Sequence, residues 1–431
     1  MLVTPGRPDG QIRVQGSKSE TNRALLVAAL AEGQSSIDFG LVSDDSLSMC
    51  AALSTLGAGV QEIHREPDGS WLVNGFAGTP RPAPQAQVDC HLAGTTLRFV
   101  SAIATLSATP VVITGAAPLL ARPVGPLIDA LRQLGADVRG NQSEAGLRPP
   151  LTVGGRVQPS GGEAHVDATR SSQFVSALAM LGPLLTDGLR LRWRGLAARG
   201  YVDLSFAIMR RHGIEFELVP DGADIPGGQT YRAGNEIVPG DASSASHLFT
   251  AAAAAGGRVT VTDIASSRAQ PDFAVLDALT AMGAMVSSDG DAITVVGPES
   301  LEPIDWDLTA TPDQLPNLAV LAALARGRSR FTGVEVTRYH ETDRVTALQR
   351  ELARVGARCE DDGDAFIVHG GGALTGARLD THHDHRLGMA FAALGCAVEG
   401  IEVADAGCVA KTYPRFWSDL RALGVDWNLV T

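Results

Sequence analysis

The chain has 431 residues, of which 45% are hydrophobic and 19% are charged, and 48 acidic against 35 basic residues give a net charge of −13. This length suggests about two or three domains. The acidic balance argues against a nucleic-acid coat or a membrane-surface protein. Five scattered cysteines without a CxxC pair argue against a disulfide framework and a structural zinc site. No signal peptide and no apolar run of about 20 residues is visible, so we expect a cytoplasmic globular enzyme.

The use of basic residues singles out two positions. Only Lys18 and Lys411 are lysines, and the other 33 basic residues are arginines. A coding bias towards arginine would replace every lysine for which arginine serves equally well. The two that remain are therefore predicted to need a compact ammonium, which the planar guanidinium does not imitate.

A helix ending in glycine and followed by a strand recurs six times along the chain. The turn glycines lie 78, 78, 70, 73 and 68 residues apart, at Gly57, Gly135, Gly213, Gly283, Gly356 and Gly424. This position fits the residue after a helix, where positive φ is needed. Several copies continue as a strand, a DG-type turn and a second strand, which predicts hairpins.

Each repeat also contains a second helix of another kind. Its first residues are polar, and the rest is apolar on nearly every face, as in SKSETNRALLVAALAEG and DHRLGMAFAALGCAVEG. A helix without a polar face is buried all round. The free N–H groups and positive dipole ends at the starts of such helices bind phosphate and carboxylate well.

Six repeats exceed one ordinary core, and we divide them into two sets of three. The predicted N-terminal domain spans residues 17–238. The C-terminal domain combines residues 1–16 with residues 239–431, because the N-terminal strand is expected to return to the second half. We place the ligand between the halves, against the helix N-termini. The alternative is a simple duplication whose helix ends do not converge.

Taken in chain order, the polar helix starts differ in how strongly they indicate a ligand. In GSKSETNR, Lys18 and Arg23 add cations where a purely structural helix start favours acids, which indicates a bound anion. AGTTLRF supplies a glycine and Arg98, although an ordinary cap has the same pattern. Arg122 of ARPVGPL is equally consistent with a surface arginine, whereas RSSQF predicts a hydrogen-bonding shelf.

The second half contributes the candidate proton-transfer groups. In PDQLPN, Asp313 lies in the first turn of a buried helix, where plain capping is a strong alternative. HETDR puts Glu341 and Arg344 on one helix face, which is also the pattern of an exposed ion pair. HHDHR resembles a metal site, but no second ligand cluster accompanies it, so we predict no metal.

The combination of these motifs resembles the 5-enolpyruvylshikimate-3-phosphate synthase family, the 3-phosphoshikimate 1-carboxyvinyltransferases. The resemblance covers nearly the whole chain, and the motifs occur in the family's order: GSKSETNRALLVAAL, SDD, AGTTLRF, RPVGPLIDALRQLGA, SSQF, GDASSAS, PDQLPNLAVLAALA, HETDR, DHR and AKTYP. It implies a mixed α/β (α+β) fold, a two-domain inside-out α/β barrel. Each domain would have three βαββαβ repeats with buried helices, and the active site would lie in the interdomain cleft.

The resemblance also implies a reaction. The enolpyruvyl group of phosphoenolpyruvate passes to the 5-hydroxyl of shikimate 3-phosphate, with release of phosphate, in the shikimate pathway to chorismate and the aromatic amino acids. Family membership would make Asp313 the base, Glu341 the proton donor and Lys18 a further catalytic residue. No cofactor and no metal are expected, since phosphoenolpyruvate carries the activated group.

The implied binding residues fall into two overlapping sets. Those for shikimate 3-phosphate are Lys18, Ser19, Arg23, Ser171, Ser172, Gln173, Tyr201, Asp313 and His340. Those for phosphoenolpyruvate are Lys18, Gly94, Arg122, Gln173, Arg344, Arg386 and Lys411. The partners are these small molecules, without nucleic acid or membrane, and we expect a monomer. An unsubstituted Gly94 predicts inhibition by glyphosate, a phosphoenolpyruvate mimic.

Several positions depart from the commonest family pattern. Ala198 replaces a serine and His340 a lysine around the acceptor's phosphate, while Glu20 puts a negative charge in the first motif. Two alternatives stay open. One is a UDP-N-acetylglucosamine enolpyruvyl transferase, against which SSQF, DHR and the lack of a cysteine near ARPVG argue. The other is a catalytically silent paralogue that binds phosphorylated metabolites.

Overall fold

The computed structural model describes residues 1–64, 68–122, 124–143, 146–196, 198–264 and 269–430. Pro123 of the ARPVG motif lies outside the described residues. The chain forms two compact units, of which one is Gly16–Val238 and the other combines Met1–Gln15 with Pro239–Thr431. We refer to them as the N-unit and the C-unit. No helix within the described ranges is long and apolar enough to cross a membrane.

The helices alternate with strands throughout the chain. The described α-helices are α1 (Lys18–Leu30), α2 (Asp44–Thr55), α3 (Gly94–Ile103), α4 (Ala117–Leu120), α5 (Gly125–Gln133), α6 (Gln173–Leu181), α7 (Arg199–Arg211), α8 (Ala242–Ala255), α9 (Ala274–Ala281), α10 (Leu315–Leu324), α11 (Arg344–Arg354), α12 (His385–Ala397) and α13 (Phe416–Ala422). Short 3₁₀ turns include Pro312–Gln314, before α10, and Glu335–Tyr339, before α11.

The strands are short, mostly of two to six residues. In the N-unit they are β3 (Gln34–Gly40), β4 (Gly59–His64), β5 (Gly69–Asn74), β6 (Gln87–Asp89), β7 (Val111–Thr114), β8 (Val138–Ser143), β9 (Gly146–Val153), β10 (Gly162–Asp167), β11 (Leu189–Arg194), β12 (Glu217–Val219), β13 (Gly222–Ile225) and β14 (Asn235–Ile237). In the C-unit they are β1 (Leu2–Val3), β2 (Asp9–Arg13), β15 (Arg258–Thr262), β16 (Met285–Asp289), β17 (Ala292–Val296), β18 (Asp305–Asp307), β19 (Arg328–Thr332), β20 (Arg358–Asp361), β21 (Ala365–His369), β22 (Arg378–Leu379), β23 (Glu402–Val403) and β24 (Trp427–Asn428).

These strands form six four-stranded sheets, three in each unit, with one shared pattern. In the order β6-β7-β9-β8, the first two strands are parallel and joined through the buried helix α3. The next two, β9 and β8, form an antiparallel hairpin. Helix α5 leads from β7 into that hairpin. The predicted hairpins β16–β17 and β20–β21 are confirmed.

Two strands belong to a different unit from the helix that follows them in the chain. Strand β2 leads into α1 of the N-unit but pairs in parallel with β15 of the C-unit, from Asp9 opposite Arg258 to Arg13 opposite Thr262. Strand β14 leads into α8 of the C-unit but pairs with β3 of the N-unit. Strand β1 completes the last sheet, between β23 and β24. The sheets therefore need a chain that crosses twice between the units.

The six turn glycines have the backbone geometry that their position predicts. Their φ angles lie between 83° and 104°. An L-residue with a side chain is strained in this left-handed region. Each glycine therefore ends its helix and reverses the chain into the next strand, as the sequence pattern indicated.

One helix of each repeat is enclosed on nearly every side. In α1, α3, α6, α8, α10 and α12 almost every residue is buried, whereas α2, α5, α7, α9, α11 and α13 bury one face. Each unit has its own hydrophobic core around three enclosed helices. Polar residues begin these helices, and several candidate site residues are among them, including Lys18, Gln173 and Arg386.

Candidate active site

In the N-unit, Lys18 begins α1 and is held by an acidic residue of the neighbouring helix. Its Nζ lies 3.3 Å from Oδ2 of Asp45, and the Lys18 side chain keeps 19% of its surface exposed. Ser17 caps the helix by accepting a hydrogen bond from the Glu20 amide at 3.4 Å. The ammonium is thus fixed at a positive helix end with part of its surface accessible, as an anion site requires.

Arg23, one turn further along α1, is nearly enclosed. Its guanidinium donates to Ser205 Oγ at 2.8 Å, to the Ser19 carbonyl at 2.8 Å and to the Tyr201 carbonyl at 2.7 Å. Burial lowers the pKa of Arg23 to about 10. The side chain therefore joins α1 to α7 through Ser205 and the predicted site residue Tyr201.

The start of α3 gathers a second group of predicted residues. Arg98 Nη1 donates to the Gly94 carbonyl at 3.0 Å and to Gln173 Oε1 at 2.8 Å. Gln173 Nε2 donates to Thr95 Oγ1 at 3.2 Å. A Cβ added at Gly94 would lie 2.5 Å from Arg98 Nη1 and 2.7 Å from Arg122 Nη1. The missing side chain therefore makes room for two guanidinium groups.

The remaining N-unit candidates lie at the starts of α6 and α7. Ser171 Oγ accepts a hydrogen bond from the Gln173 amide at 3.3 Å, and Ser172 is the buried N-cap of α6. Tyr201 is half-buried in the first turn of α7. Ala198 precedes that helix with a left-handed φ of 52° and offers no side-chain cap.

In the C-unit, Arg344 joins most of the candidates. Its side chain has no exposed surface, and Nε and Nη2 face the two oxygens of the buried Asp384 at 2.8 and 3.3 Å. Its Nη1 donates to Asp313 Oδ1 at 2.7 Å, and Nη2 donates to Glu341 Oε2 at 3.2 Å. One buried guanidinium therefore fixes both predicted proton-transfer groups.

Asp313 also pairs with the arginine that begins α12. Arg386 Nη2 lies 2.9 Å from Asp313 Oδ2, and its Nη1 donates to Ser243 Oγ at 2.6 Å. Burial by itself would raise the pKa of Asp313, but the positive charges of Arg386 and Arg344 hold it well below its usual range. The carboxylate is therefore ionised at neutral pH and able to accept a proton or a hydrogen bond from a hydroxyl group.

Lys411 and His340 complete this group. Lys411 Nζ donates to Glu341 Oε1 at 2.7 Å. His340 Nδ1 lies 3.0 Å from Arg344 Nη1 and 3.4 Å from Asp313 Oδ1. Because a guanidinium only donates, the contact with Arg344 puts a lone pair on Nδ1 and the proton on Nε2. All six C-unit candidates thus belong to one connected set: Asp313, His340, Glu341, Arg344, Arg386 and Lys411.

Sequence reasoning gave no role to two acids that hold these cations. Asp45 pairs with Lys18, and Asp384 binds Arg344 while capping α12 through the Arg386 amide at 2.9 Å. Both were visible in the sequence, within the SDD and DHR motifs. Nothing in either motif named its partner, because Asp384 and Arg344 are 40 residues apart.

The histidines of HHDHR do not gather around a possible metal. Within the described ranges, no group of three or more His, Cys, Asp or Glu side chains could hold a metal ion. His382 Nε2 contacts Glu351, and His383 Nδ1 contacts Asp405. His385 is buried beside Asp384, with Nδ1 at 3.9 Å from Oδ1.

The architecture has counterparts among solved structures. Two structures of EPSP synthase from Acinetobacter baumannii superpose with TM-scores of 0.81 and 0.80, at 24% and 23% identity. For the first, 99% of each chain is covered. This likeness defines the class of the fold and confirms the sequence-based prediction of a two-domain, inside-out α/β protein.

The sequence comparisons then identify the family. The family model of EPSP synthase (3-phosphoshikimate 1-carboxyvinyltransferase) matches residues 3–420. Proteins named 3-phosphoshikimate 1-carboxyvinyltransferase from Methanoculleus marisnigri and Halobacterium salinarum are each 39% identical, with 97–98% of both chains covered. One from Thiobacillus denitrificans is 38% identical over 429 residues. The chain belongs to the EPSP synthase family; this confirms the predicted family and enzyme class and does not favour the two alternatives.

Proposed function

We propose that this protein transfers the enolpyruvyl group of phosphoenolpyruvate to the 5-hydroxyl of shikimate 3-phosphate and releases inorganic phosphate. The observation that carries the mechanism is the ionised Asp313, held at 2.7 Å by Arg344 and at 2.9 Å by Arg386. A carboxylate in this setting is a fixed acceptor for the proton of a substrate hydroxyl.

The addition step needs one proton removed and one supplied. Asp313 takes the proton of the acceptor's hydroxyl group while the hydroxyl oxygen forms a bond to C2 of phosphoenolpyruvate. The methylene carbon gains a proton from the protonated form of Glu341, which lies between Lys411 and Arg344. The Lys411 ammonium, which donates to Glu341 Oε1 at 2.7 Å, supplies that proton. Lys18, whose Nζ lies 3.3 Å from Asp45 Oδ2, is assigned a share of this transfer. The product of the step is a tetrahedral adduct that still carries phosphate.

The elimination step reverses the proton movement at the methyl carbon. The Glu341 carboxylate takes a proton back from that carbon, the C=C bond re-forms, and the bond between C2 and the phosphate oxygen breaks. The departing phosphate takes the proton that Asp313 removed from the hydroxyl group, which restores both carboxylates. Negative charge then develops on the departing phosphate, which fixed cations stabilise without reorganisation. The cations assigned to this group are Lys18, Arg122, Arg344, Arg386 and Lys411, with Gly94 and Gln173 beside them.

The acceptor is assigned to residues from both units. Shikimate 3-phosphate would contact Lys18, Ser19, Arg23, Ser171, Ser172, Gln173, Tyr201, Asp313 and His340. Since the two assigned sets draw on both units, we propose that both act on one pair of substrates, and that the predicted domains, 17–238 and 1–16 with 239–431, share the catalysis. His340 offers Nε2–H where an ammonium is the commoner group, and Ala198 offers the acceptor's phosphate no hydroxyl.

The test is phosphate release from phosphoenolpyruvate with shikimate 3-phosphate, with UDP-N-acetylglucosamine as a parallel acceptor. Release with the shikimate ester alone supports the proposal. Release with the sugar nucleotide alone assigns the activity to the related transferase, and release with neither overturns both. Size-exclusion chromatography with light scattering tests the proposed monomer, and the same assay without added metal or cofactor tests whether phosphoenolpyruvate suffices.

A further inference from the structure

A network of hydrogen-bonded, buried polar side chains starts at Gln314, the residue that follows Asp313. The Gln314 side chain has no exposed surface, and its Nε2 donates to Asp272 Oδ1 at 2.9 Å. Its Oε1 accepts from Asn317 Nδ2, also at 2.9 Å. Both ends of this amide are therefore fixed, and the backbone that carries Asp313 is fixed with them.

The network continues into α8, a helix that contains none of the predicted site residues. Asn317 Nδ2 donates its second hydrogen to Ser246 Oγ at 3.0 Å, and Asn317 Oδ1 lies 2.8 Å from His247 Nδ1. All of these side chains are buried. The GDASSASH segment at the start of α8 thus contacts the start of α10 through polar groups enclosed in the core.

Only one assignment of donors and acceptors satisfies every hydrogen bond of this network. The Asp272 carboxylate accepts, so the amide nitrogen of Gln314 faces it and the amide oxygen faces Asn317. The nitrogen of Asn317 then faces Gln314, and its oxygen faces His247. His247 must therefore carry its proton on Nδ1, which leaves Nε2 as a bare acceptor; this atom has no hydrogen-bond partner among the described residues.

The same network leads back to Asp313, the proposed catalytic base. Ser246 Oγ donates to the Ser243 carbonyl at 2.6 Å, and Ser243 Oγ accepts from Arg386 Nη1 at 2.6 Å. Arg386 Nη2 contacts Asp313 Oδ2. The result is a closed ring that runs through Asp313, Gln314, Asn317, Ser246, Ser243 and Arg386.

We propose that this ring, whose direction is set by Asp272 and which is held at its other end by His247, positions Asp313 against Arg386 so that the carboxylate can accept the proton of the substrate hydroxyl. His247 and Ser243 are then positioning residues for the reaction. The proposal rests on the function proposed above. Fixed geometry of a proton acceptor is worth a large rate factor, since a misplacement of about 1 Å can cost about 10²-fold. Neither residue contacts the reacting atoms in this mechanism; each acts through Asn317 or Arg386.

The charge environment of His247 agrees with a neutral imidazole. Burial, followed by the charge of Arg386, lowers its pKa to about 3, and Arg344 acts in the same direction. The Asn317 contact and Asp313 oppose them. The imidazole therefore holds one tautomer across the pH range of a biosynthetic enzyme, as a fixed donor to Asn317 must.

The first experiment compares kcat and KM for wild type, His247→Asn, His247→Leu and Ser243→Ala. Asparagine places a donor near the Nδ1 position, so His247→Asn should stay within about threefold of wild-type kcat. His247→Leu and Ser243→Ala should lower kcat by about 10- to 10²-fold, while KM for both substrates stays within about twofold. The control is His212→Asn, at a buried histidine of the N-unit that contacts Glu236, which should leave kcat unchanged.

A double-mutant cycle separates positioning from general stability. In an Asp313→Asn background, His247→Leu should cause no further loss of kcat, because the base that it positions is gone. Additive losses, or a folded His247→Leu variant with wild-type kcat, overturn the proposal. If His247→Leu does not fold, the Ser243→Ala variant tests the proposal instead. A wild-type kcat in Ser243→Ala overturns the proposal.

A tautomer measurement does not depend on turnover. Nitrogen-15 NMR of histidine-labelled protein, with the His247 signal assigned by its loss in His247→Asn, should show a protonated Nδ1 and a bare Nε2 from pH 5 to pH 8. A protonated Nε2 overturns the ring. A wild-type protein with this tautomer but no phosphate release would contradict the proposed function while leaving the ring intact.

Discussion

Lys411 Nζ donates a hydrogen bond to Oε1 of Glu341 over 2.7 Å, with 11% and 18% of the two side chains exposed. The contact joins one of only two lysines in the chain to the proposed proton donor. It gives a structural reason for a lysine at this position, because the ammonium is largely buried and donates to one carboxylate oxygen.

Replacing Lys411 by arginine should therefore be costly. The planar guanidinium keeps the charge but not the shape, and we expect kcat/KM for phosphoenolpyruvate to fall about tenfold or more. Steady-state kinetics measures the effect. The control is Arg378→Lys, the reverse exchange of arginine for lysine at a side chain that is 70% exposed. This variant should have wild-type activity. Equal activity in Lys411→Arg would contradict the special role of the ammonium.

Gly94→Ala should weaken the binding of phosphoenolpyruvate. The added Cβ meets Arg98 Nη1 at 2.5 Å and Arg122 Nη1 at 2.7 Å, so one or both guanidinium groups must move. We expect a higher KM for phosphoenolpyruvate and weaker inhibition by glyphosate, which should inhibit the wild type at millimolar concentration or below. Gly372→Ala is the control, since its Cβ would meet nothing within 4 Å. An unchanged KM would place the phosphoenolpyruvate site elsewhere.

Asp313→Asn should lower kcat by about 10²- to 10⁴-fold, the usual contribution of a general base. The amide keeps the size of the carboxylate but does not accept the proton, and Arg344 retains its two contacts with Asp384. Circular dichroism checks the fold, and phosphate release measures the rate. Asp305→Asn, at an exposed aspartate, should leave the rate unchanged. A rate near that of wild type would remove Asp313 from the mechanism.

The free energy of unfolding should fall as the pH is lowered from about 6.5 towards 3. His247 has a pKa of about 3 in the folded chain against an ordinary value of 6.5, so the unfolded chain binds one more proton in this window. The contribution to the slope approaches about 1.4 kcal/mol per pH unit. Asp313, whose folded pKa is depressed, adds stability above its ordinary pKa that is lost at lower pH. Denaturant unfolding at pH 7, 6 and 5 should give a shallower slope for His247→Asn; parallel slopes would contradict a buried neutral imidazole.

The five thiols should be inert in the folded protein. Burial is the largest cause that raises the pKa of each cysteine to about 12, so hardly any thiolate forms at pH 8. Iodoacetamide should leave activity unchanged in native protein and label five cysteines after unfolding. Inactivation that follows labelling of one native cysteine would indicate a catalytic thiol, for which the proposed mechanism has no place.

The repeated architecture could be predicted from the sequence because its determinants are local. A glycine with positive φ ends each amphipathic helix, as at Gly57 and Gly424. The helices without a polar face could be predicted to be buried from their sequence alone. The family motifs predicted the candidate site residues, and most of these motifs lie at the start of a helix. Composition alone marked Lys18 and Lys411, because they are the two lysines among 35 basic residues.

What the sequence left undecided was which of these residues touch. The pairing of β2 with β15 joins positions about 250 residues apart, and the ion pair of Arg344 with Asp384 joins residues 40 apart. The direction of the buried ring depends on Asp272, Gln314, Asn317 and His247 at once. Hydrogen-bond geometry and burial are properties of the folded core, so only the tertiary structure could assign His247 its tautomer and Asp313 its partners.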